Sequence, residues 1–273
     1  MKKQLKIGTA LLGLLVPFVL MASSVEAQEK KEIIVATDSA TKPFTFKKGD
    51  DFTGYDIEVL KEAFKGSKKY KLKFVTVEFP SILSGIDSGR YHIGANNYGY
   101  SEERAAKYLF SDPIAKSNYA IATQKDDSYK TLEDLSGKKT QGMSGANYMQ
   151  VLENWNKENS DKTPIDITYA SGQTPFTQRL QLLENGQIDF LFFDAISLKT
   201  VIKEQGYDLK VTPLSEQVGD EKDGNDYFIY AKDKEGKALK TYVDKRLKQL
   251  AKTGKLKSLS QEFFQGDFVS DLK

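Results

Sequence analysis

One unit of pattern recurs in the two halves of this chain and points it toward an α/β architecture. In the first half, Ser81 to Ser88 sets Ile82, Leu83 and Ile86 on one helical face, and Gly89 stops the helix. Tyr91 to Ala95 then reads as a buried strand. In the second half, Thr174 and Pro175 open a helix with Phe176, Leu180 and Leu183 inward, and Asn185-Gly186 closes it. The strand Ile188 to Phe193 follows. Each strand runs into polar residues, Asn96 and Asn97 in one case and Asp194 in the other. Ligands of parallel α/β sheets collect beyond the carboxyl ends of strands, so two such ends predict two lobes facing one cleft.

The rest of the pattern agrees. Ile33 to Thr37 and Lys71 to Val77 read as strands, and residues 56–64 place Ile57, Leu60 and Phe64 on one helical face. The polar stretch SEQVGDEKDGND at 215–226 reads as a surface connection before the strand Tyr227 to Lys232. Leu239, Tyr242, Val243, Leu247 and Leu250 form an apolar stripe that stops at Gly254. Alternating strands and helices predict α/β layers with largely parallel sheets.

Composition removes several classes of function. Lys2, Lys3 and Lys6 precede an apolar run from Ile7 to Ala22 and then Val25-Glu26-Ala27. This predicts a signal peptide over residues 1–27, cleaved after Ala27, with an uncleaved anchor as the alternative. Its loss takes three lysines and one glutamate from 40 basic and 38 acidic residues, leaving 37 of each. A neutral mature chain argues against a nucleic-acid partner. The chain has no cysteine, which excludes disulfides, zinc thiolates, thiol nucleophiles and lipid attachment through a signal cysteine. His92 is the only histidine, so no metal site is expected and a structural role is. No G-x-S-x-G, P-loop or H-E-x-x-H is present, and neither a catalytic residue nor a cofactor is expected.

Residues 101–113, SEERAAKYLFSDP, carry the most functional information. Ser101 suits an N-cap, Glu102 and Glu103 suit the positive first turn, and Asp112-Pro113 ends the pattern. Arg104, just after a strand, can offer a carboxylate two parallel charged hydrogen bonds, although an arginine on an exposed helix face would look the same. The run resembles the T-P-E-R…F-S-D-P stretch of the extracytoplasmic solute-binding proteins that feed polar amino acids to ABC importers. Three further stretches resemble that family in the same order: IIVATDSATKPFTF at 33–46, GYDIEVLKEAF at 54–64 and GKKTQGMSGANY at 137–148. Together they span roughly residues 32 to 268.

The resemblance implies the two-lobed periplasmic-binding-protein fold of type II, a Venus-flytrap in which each lobe is a mixed sheet flanked by helices. Lobe 1 would take residues 32–116 and 226–268 and lobe 2 residues 117–225, with crossings near 114–118 and 222–226. It also implies that Arg104 clamps an α-carboxylate, helped by backbone N–H groups at Gly145, Ala146 and Asn147, which open a helix. Ala146 and Asn147 stand where the family has Ser or Thr, so a hydroxyl contact is lost. Asp194 ends the apolar strand IDFLFFD, where an acid is costly without a cation. The family's matching aspartate holds the ligand ammonium, and capping of the helix at Ala195 is a second role open to it.

Gly99 replaces a hydroxyl residue that normally meets the ammonium, and Asn96, Asn97 and Tyr98 are placed to compensate. Phe44 and Phe79 match aromatic walls around the ligand side chain, and either could equally be core. Thr41 replaces an aromatic and leaves room for a longer ligand. The ANN…ERAAKYLFSDP pattern at 95–113 resembles the cystine-binding subgroup most. The expected function is an exported, monomeric binding protein, at the cell surface, outside the cell or in the periplasm. It would close on a polar amino acid and deliver it to a membrane permease. Two alternatives use the same chain: an enzyme resembling the cyclohexadienyl dehydratases, with Glu58 or Glu78 as acid, or a surface adhesin.

Overall fold

The structure, a computed structural model, describes Met1, residues 29–215, Val218, Lys222 and residues 224–272. The expected signal segment, Met1 apart, lies outside the described residues.

The chain begins with β1 (Lys31–Thr37) and a small antiparallel flap, β2 (Ala40–Thr41), β3 (Thr45–Lys48) and β4 (Asp51–Thr53). Then come α1 (Tyr55–Phe64), β5 (Tyr70–Thr76), α2 (Phe79–Asp87), β6 (Ile93–Tyr98), α3 (Glu102–Lys107) and β7 (Tyr108–Phe110). After β8 (Ala115–Lys116) the second lobe holds β9 (Tyr119–Gln124), β10 (Lys139–Met143), α4 (Asn147–Glu158) and β11 (Asp166–Ala170). It continues with α5 (Phe176–Glu184), β12 (Leu191–Asp194), α6 (Ala195–Gln205) and β13 (Leu209–Pro213). The chain returns through β14 (Asn225–Ala231) and ends in α7 (Lys234–Lys252) and α8 (Lys255–Phe264).

The first sheet runs β5-β1-β6-β14-β7, with β8 beside β14. β1 is parallel to β5 and β6, whereas β14 is antiparallel to β6, β7 and β8. In the second lobe β9 lies antiparallel between β12 and β13, and β10 pairs parallel with β11. A bridge from Thr140 to Phe190 joins these two groups. The sheets are therefore mixed rather than largely parallel: β9 and β14, the strands that follow the two crossings, enter their sheets antiparallel to their neighbours.

Two local readings are corrected by tertiary pairing. The helix at Ser101 stops at Lys107, well before Asp112, because Tyr108–Phe110 pairs with β14 instead. The helix predicted from Thr174 begins at Phe176, with Pro175 as its cap residue. The stripe on α7 holds: Leu239, Val243, Leu247 and Leu250 are buried in the lobe 1 core with Phe228 and Tyr230. A separate core in lobe 2 gathers Leu180, Leu183, Leu191 and Leu198. His92 is structural, its Nδ1 accepting the Ile34 N–H at 3.0 Å.

The two crossings lie side by side. Asn225 and Asp226 pair with Lys116 and Ala115, and the Ser117 N–H donates to Gly224 O at 2.7 Å. Gly224 has φ 78, and a Cβ there would sit 2.1 Å from Ser117 O, so only glycine lets the two connections pack this closely.

Candidate functional site

A cavity of about 450 Å³ opens between the lobes. Its first-lobe wall is set by the ends of β1, β5 and β6 with Arg104 of α3, and its second-lobe wall by the starts of α4 and α5 and the end of β12, where Asp194 caps α6.

Arg104 follows from its helix. Ser101 caps α3, its Oγ accepting the Arg104 N–H at 3.2 Å, and this points the side chain into the cleft. The guanidinium is buried, 8% exposed. Its Nη1 donates to Gly99 O at 3.0 Å and to Asn147 Oδ1, and its Nη2 to Gly145 O at 2.5 Å. The Tyr98 ring lies 5.2 Å away. Burial lowers its pKa from the ordinary arginine value, yet arginine keeps its proton in proteins. Among the described residues no acid pairs with it. Every acceptor it has is neutral, and a carboxylate is the stronger one.

The departures at Gly99 and Asn147 are one feature. Asn147 was expected to offer backbone N–H groups, but its side chain also crosses to the other lobe, donating Nδ2 to Tyr100 O at 2.5 Å while accepting from Arg104. A Cβ on Gly99 would stand 2.8 Å from Asn147 Nδ2. Glycine at 99 therefore makes room for the amide that bridges the cleft.

Asp194 takes the capping role that its position allowed. Its Oδ1 accepts the Ser197 N–H at 2.8 Å, while Oδ2 accepts Asn97 Nδ2 at 3.0 Å across the cleft. Burial raises its carboxyl to about 6. Asn97 holds φ 50, a conformation asparagine tolerates better than most residues, and its N–H donates to Asp56 Oδ2 at 2.9 Å. Behind it Asp56 and Asp226 are both buried, and desolvation pushes both carboxyls up, Asp226 further through the charge of Asp56, so the pair is built to retain a proton. Asn96 is not free for a ligand carbonyl contact: its Oδ1 already accepts from Thr37, Asp38 and Thr45.

Asn97, Gly99, Arg104, Ala146, Asn147, Phe79 and Asp194 all border the cavity, as does Thr41. Phe44 does not. It is wholly buried against Phe264 in the lobe 1 core, which corrects its reading as a ligand wall. Tyr98 is 1% exposed and acts from behind, stacked on Phe79 at 5.5 Å and facing Arg104. Gly145 contributes its carbonyl to Arg104 rather than a surface. Of the two candidate acids, Glu58 pairs with Lys61 at 2.8 Å away from the cleft, and Glu78 borders the cavity with Gln173 Nε2 donating to it at 2.9 Å.

Sequence reasoning missed Arg179, a second buried arginine in the cleft wall. Its signal was available: Phe176, Arg179, Leu180 and Leu183 share the inward helical spacing, so a cation interrupts an apolar stripe.

Residues 33–266 match the family described as bacterial extracellular solute-binding proteins, family 3. The chain belongs to that family. Its fold is the two-lobed type II periplasmic-binding-protein fold. It is similar, with a TM-score of 0.82 and 38% identity over 89% of this chain and 98% of the other, to a solved structure from Streptococcus mutans. That structure is described as a basis of glutathione import via GshT and the cystine ABC importer TcyBC. The chain is 30% identical to the L-cystine-binding protein TcyK of Bacillus subtilis, over 84% of this chain and 81% of that one. It is 25% identical to the arginine-binding extracellular protein ArtP of the same organism, over 87% and 88%. These relatives are solute-binding proteins. Among the described residues no helix is long and apolar enough to cross a membrane.

Proposed function

We propose that this family member is exported by its first 27 residues, acts as a monomer, and carries cystine or another polar amino acid to a membrane permease. Lobe 1 comprises residues 32–116 and 226–268, lobe 2 comprises residues 117–225, and closure about the paired crossings traps the ligand. Arg104 holds the α-carboxylate, and Asp194 with Asn97 receives the ammonium. The observation that carries this reading is Arg104: a buried cation between two lobes, bonded only to neutral oxygens. A buried charge is stabilised only when it is paired, and the missing anion would come from the ligand. The ligand displaces Asn147 and Gly145 from the guanidinium and keeps the lobes joined through itself. The cystine preference rests on the pattern at 95–113 and on the cystine-binding and cystine-importing relatives.

A thermal-shift panel of the amino acids, cystine and glutathione tests it. A ligand at a hundredfold its Kd stabilises the native state by about 2.7 kcal/mol, which moves the melting temperature by several degrees. No shift with any member of the panel would overturn the assignment.

A further inference from the structure

Arg179 presents the same unpaired charge as Arg104, on the opposite wall. It is 5% exposed and borders the cavity. Its Nη1 donates to the Tyr148 hydroxyl at 3.1 Å, and its Nε is buried with no hydrogen-bond partner. The guanidinium lies 4.8 Å from the Phe176 ring and 5.9 Å from Phe193. Among the described residues no acid pairs with it. Its place in the fold makes this costlier still, because it stands near the N-terminal end of α5, where the helix end is already positive and the first turn holds no acidic residue. Aromatic walls remove the water that would otherwise screen the charge. Packing alone does not call for a cation here, since leucine would continue the stripe of Phe176, Leu180 and Leu183.

The two arginines approach one feature. Arg104 meets Asn147 and Arg179 meets Tyr148, successive residues of the first turn of α4, from opposite sides of the cleft. We infer that Arg179 is a second anion site, binding the distal carboxylate of an extended ligand whose amino-acid head sits at Arg104 and Asp194. This rests on the amino-acid reading above and narrows it to ligands with two carboxylates, a disulfide-linked pair of amino acids or a short peptide with an α-amino-acid head. The cavity of about 450 Å³ falls within the range of about 300–1,000 Å³ that accepts extended small molecules.

Calorimetry with two matched probes separates the roles: cystine, and the mixed disulfide of cysteine with cysteamine, which has one intact head but no distal carboxylate. The wild type should bind cystine at least about tenfold more tightly, the worth of one charged hydrogen-bonding partner. Arg179→Gln should erase that ratio by weakening cystine alone. Tyr148→Phe, which removes only the hydroxyl that orients the guanidinium, should reduce the ratio in part and serves if the first variant does not fold. A ratio near one in the wild type, or an unchanged ratio in a folded Arg179→Gln, overturns the second site while leaving the amino-acid site standing. Failure of the wild type to bind either probe or glutathione overturns the second site, and the amino-acid site falls with it only if the whole thermal-shift panel is also without effect.

Discussion

The two walls of the cleft are built differently. On the first-lobe side the strand end is locked from behind: Asn97 is held by Asp56, Asn96 by the β1–β3 connection, and Arg104 stands on a capped turn. On the second-lobe side the charged and polar groups belong to the starts of three helices, with Asn147 on α4, Arg179 on α5 and Asp194 capping α6. One wall fixes its groups by buried hydrogen bonds, the other by helix geometry. Where they meet, Asn147 on Arg104 and Asn97 on Asp194, the contacts join a charged group to a neutral amide. These are the bonds that a zwitterion would improve on both sides at once.

The largest expected effect comes from taking the cation off the first wall. Arg104→Ala should weaken the best ligand by a hundredfold or more, about 3 kcal/mol, because a charged pair is lost and not replaced. Circular dichroism should show a native fold. Near-normal affinity in calorimetry would move the carboxylate site elsewhere.

Asp194 on the second wall should matter less, and selectively. Asp194→Asn should cost about tenfold for amino acids and leave their des-amino analogues unchanged, since only the former carry the ammonium. The same residue sets a pH signature. Its folded value of about 6 lies above that of a free aspartate, so its contribution to stability is full at low pH and is lost as pH rises through 6. Asp56 and Asp226 push the same way. Unliganded protein should therefore melt at a higher temperature at pH 5 than at pH 7.5. Amino-acid affinity should run the opposite way, falling by up to about tenfold per unit below pH 6. Affinity that is flat across this range in the wild type would remove Asp194 from the ammonium site.

Much of this was legible in the chain, and for identifiable reasons. The α1 helix, the capped Arg104 and the apolar strand ending in Asp194 are local signals, each contained within about a dozen residues. Three things were not. Tyr108–Phe110 carries no local signal against helix and becomes a strand through pairing with β14, more than a hundred residues away. Phe44 and Phe79 look alike in sequence, and only the seat of Phe264 decides that the first is core. The partnership of Gly99 with Asn147 exists only once the lobes face each other.

That partnership yields the smallest effect. Gly99→Ser forces a Cβ against the Asn147 amide, the end of a side chain that can shift, and should destabilise the unliganded arrangement by about 1 kcal/mol. Asn147→Ser should relieve it, and a double-mutant cycle measured by thermal melting reads the coupling. Strict additivity would mean the two positions do not meet in solution.

The central claim is that buried arginine, paired with no acid among the described residues, is there to receive a ligand carboxylate. Calorimetric titration of the unaltered protein with its best-binding amino acid, and with the amine left when that ligand's carboxylate is removed, tests it without any mutation. The account predicts saturable binding of the amino acid and none of the amine. Equal affinity for the two would contradict it.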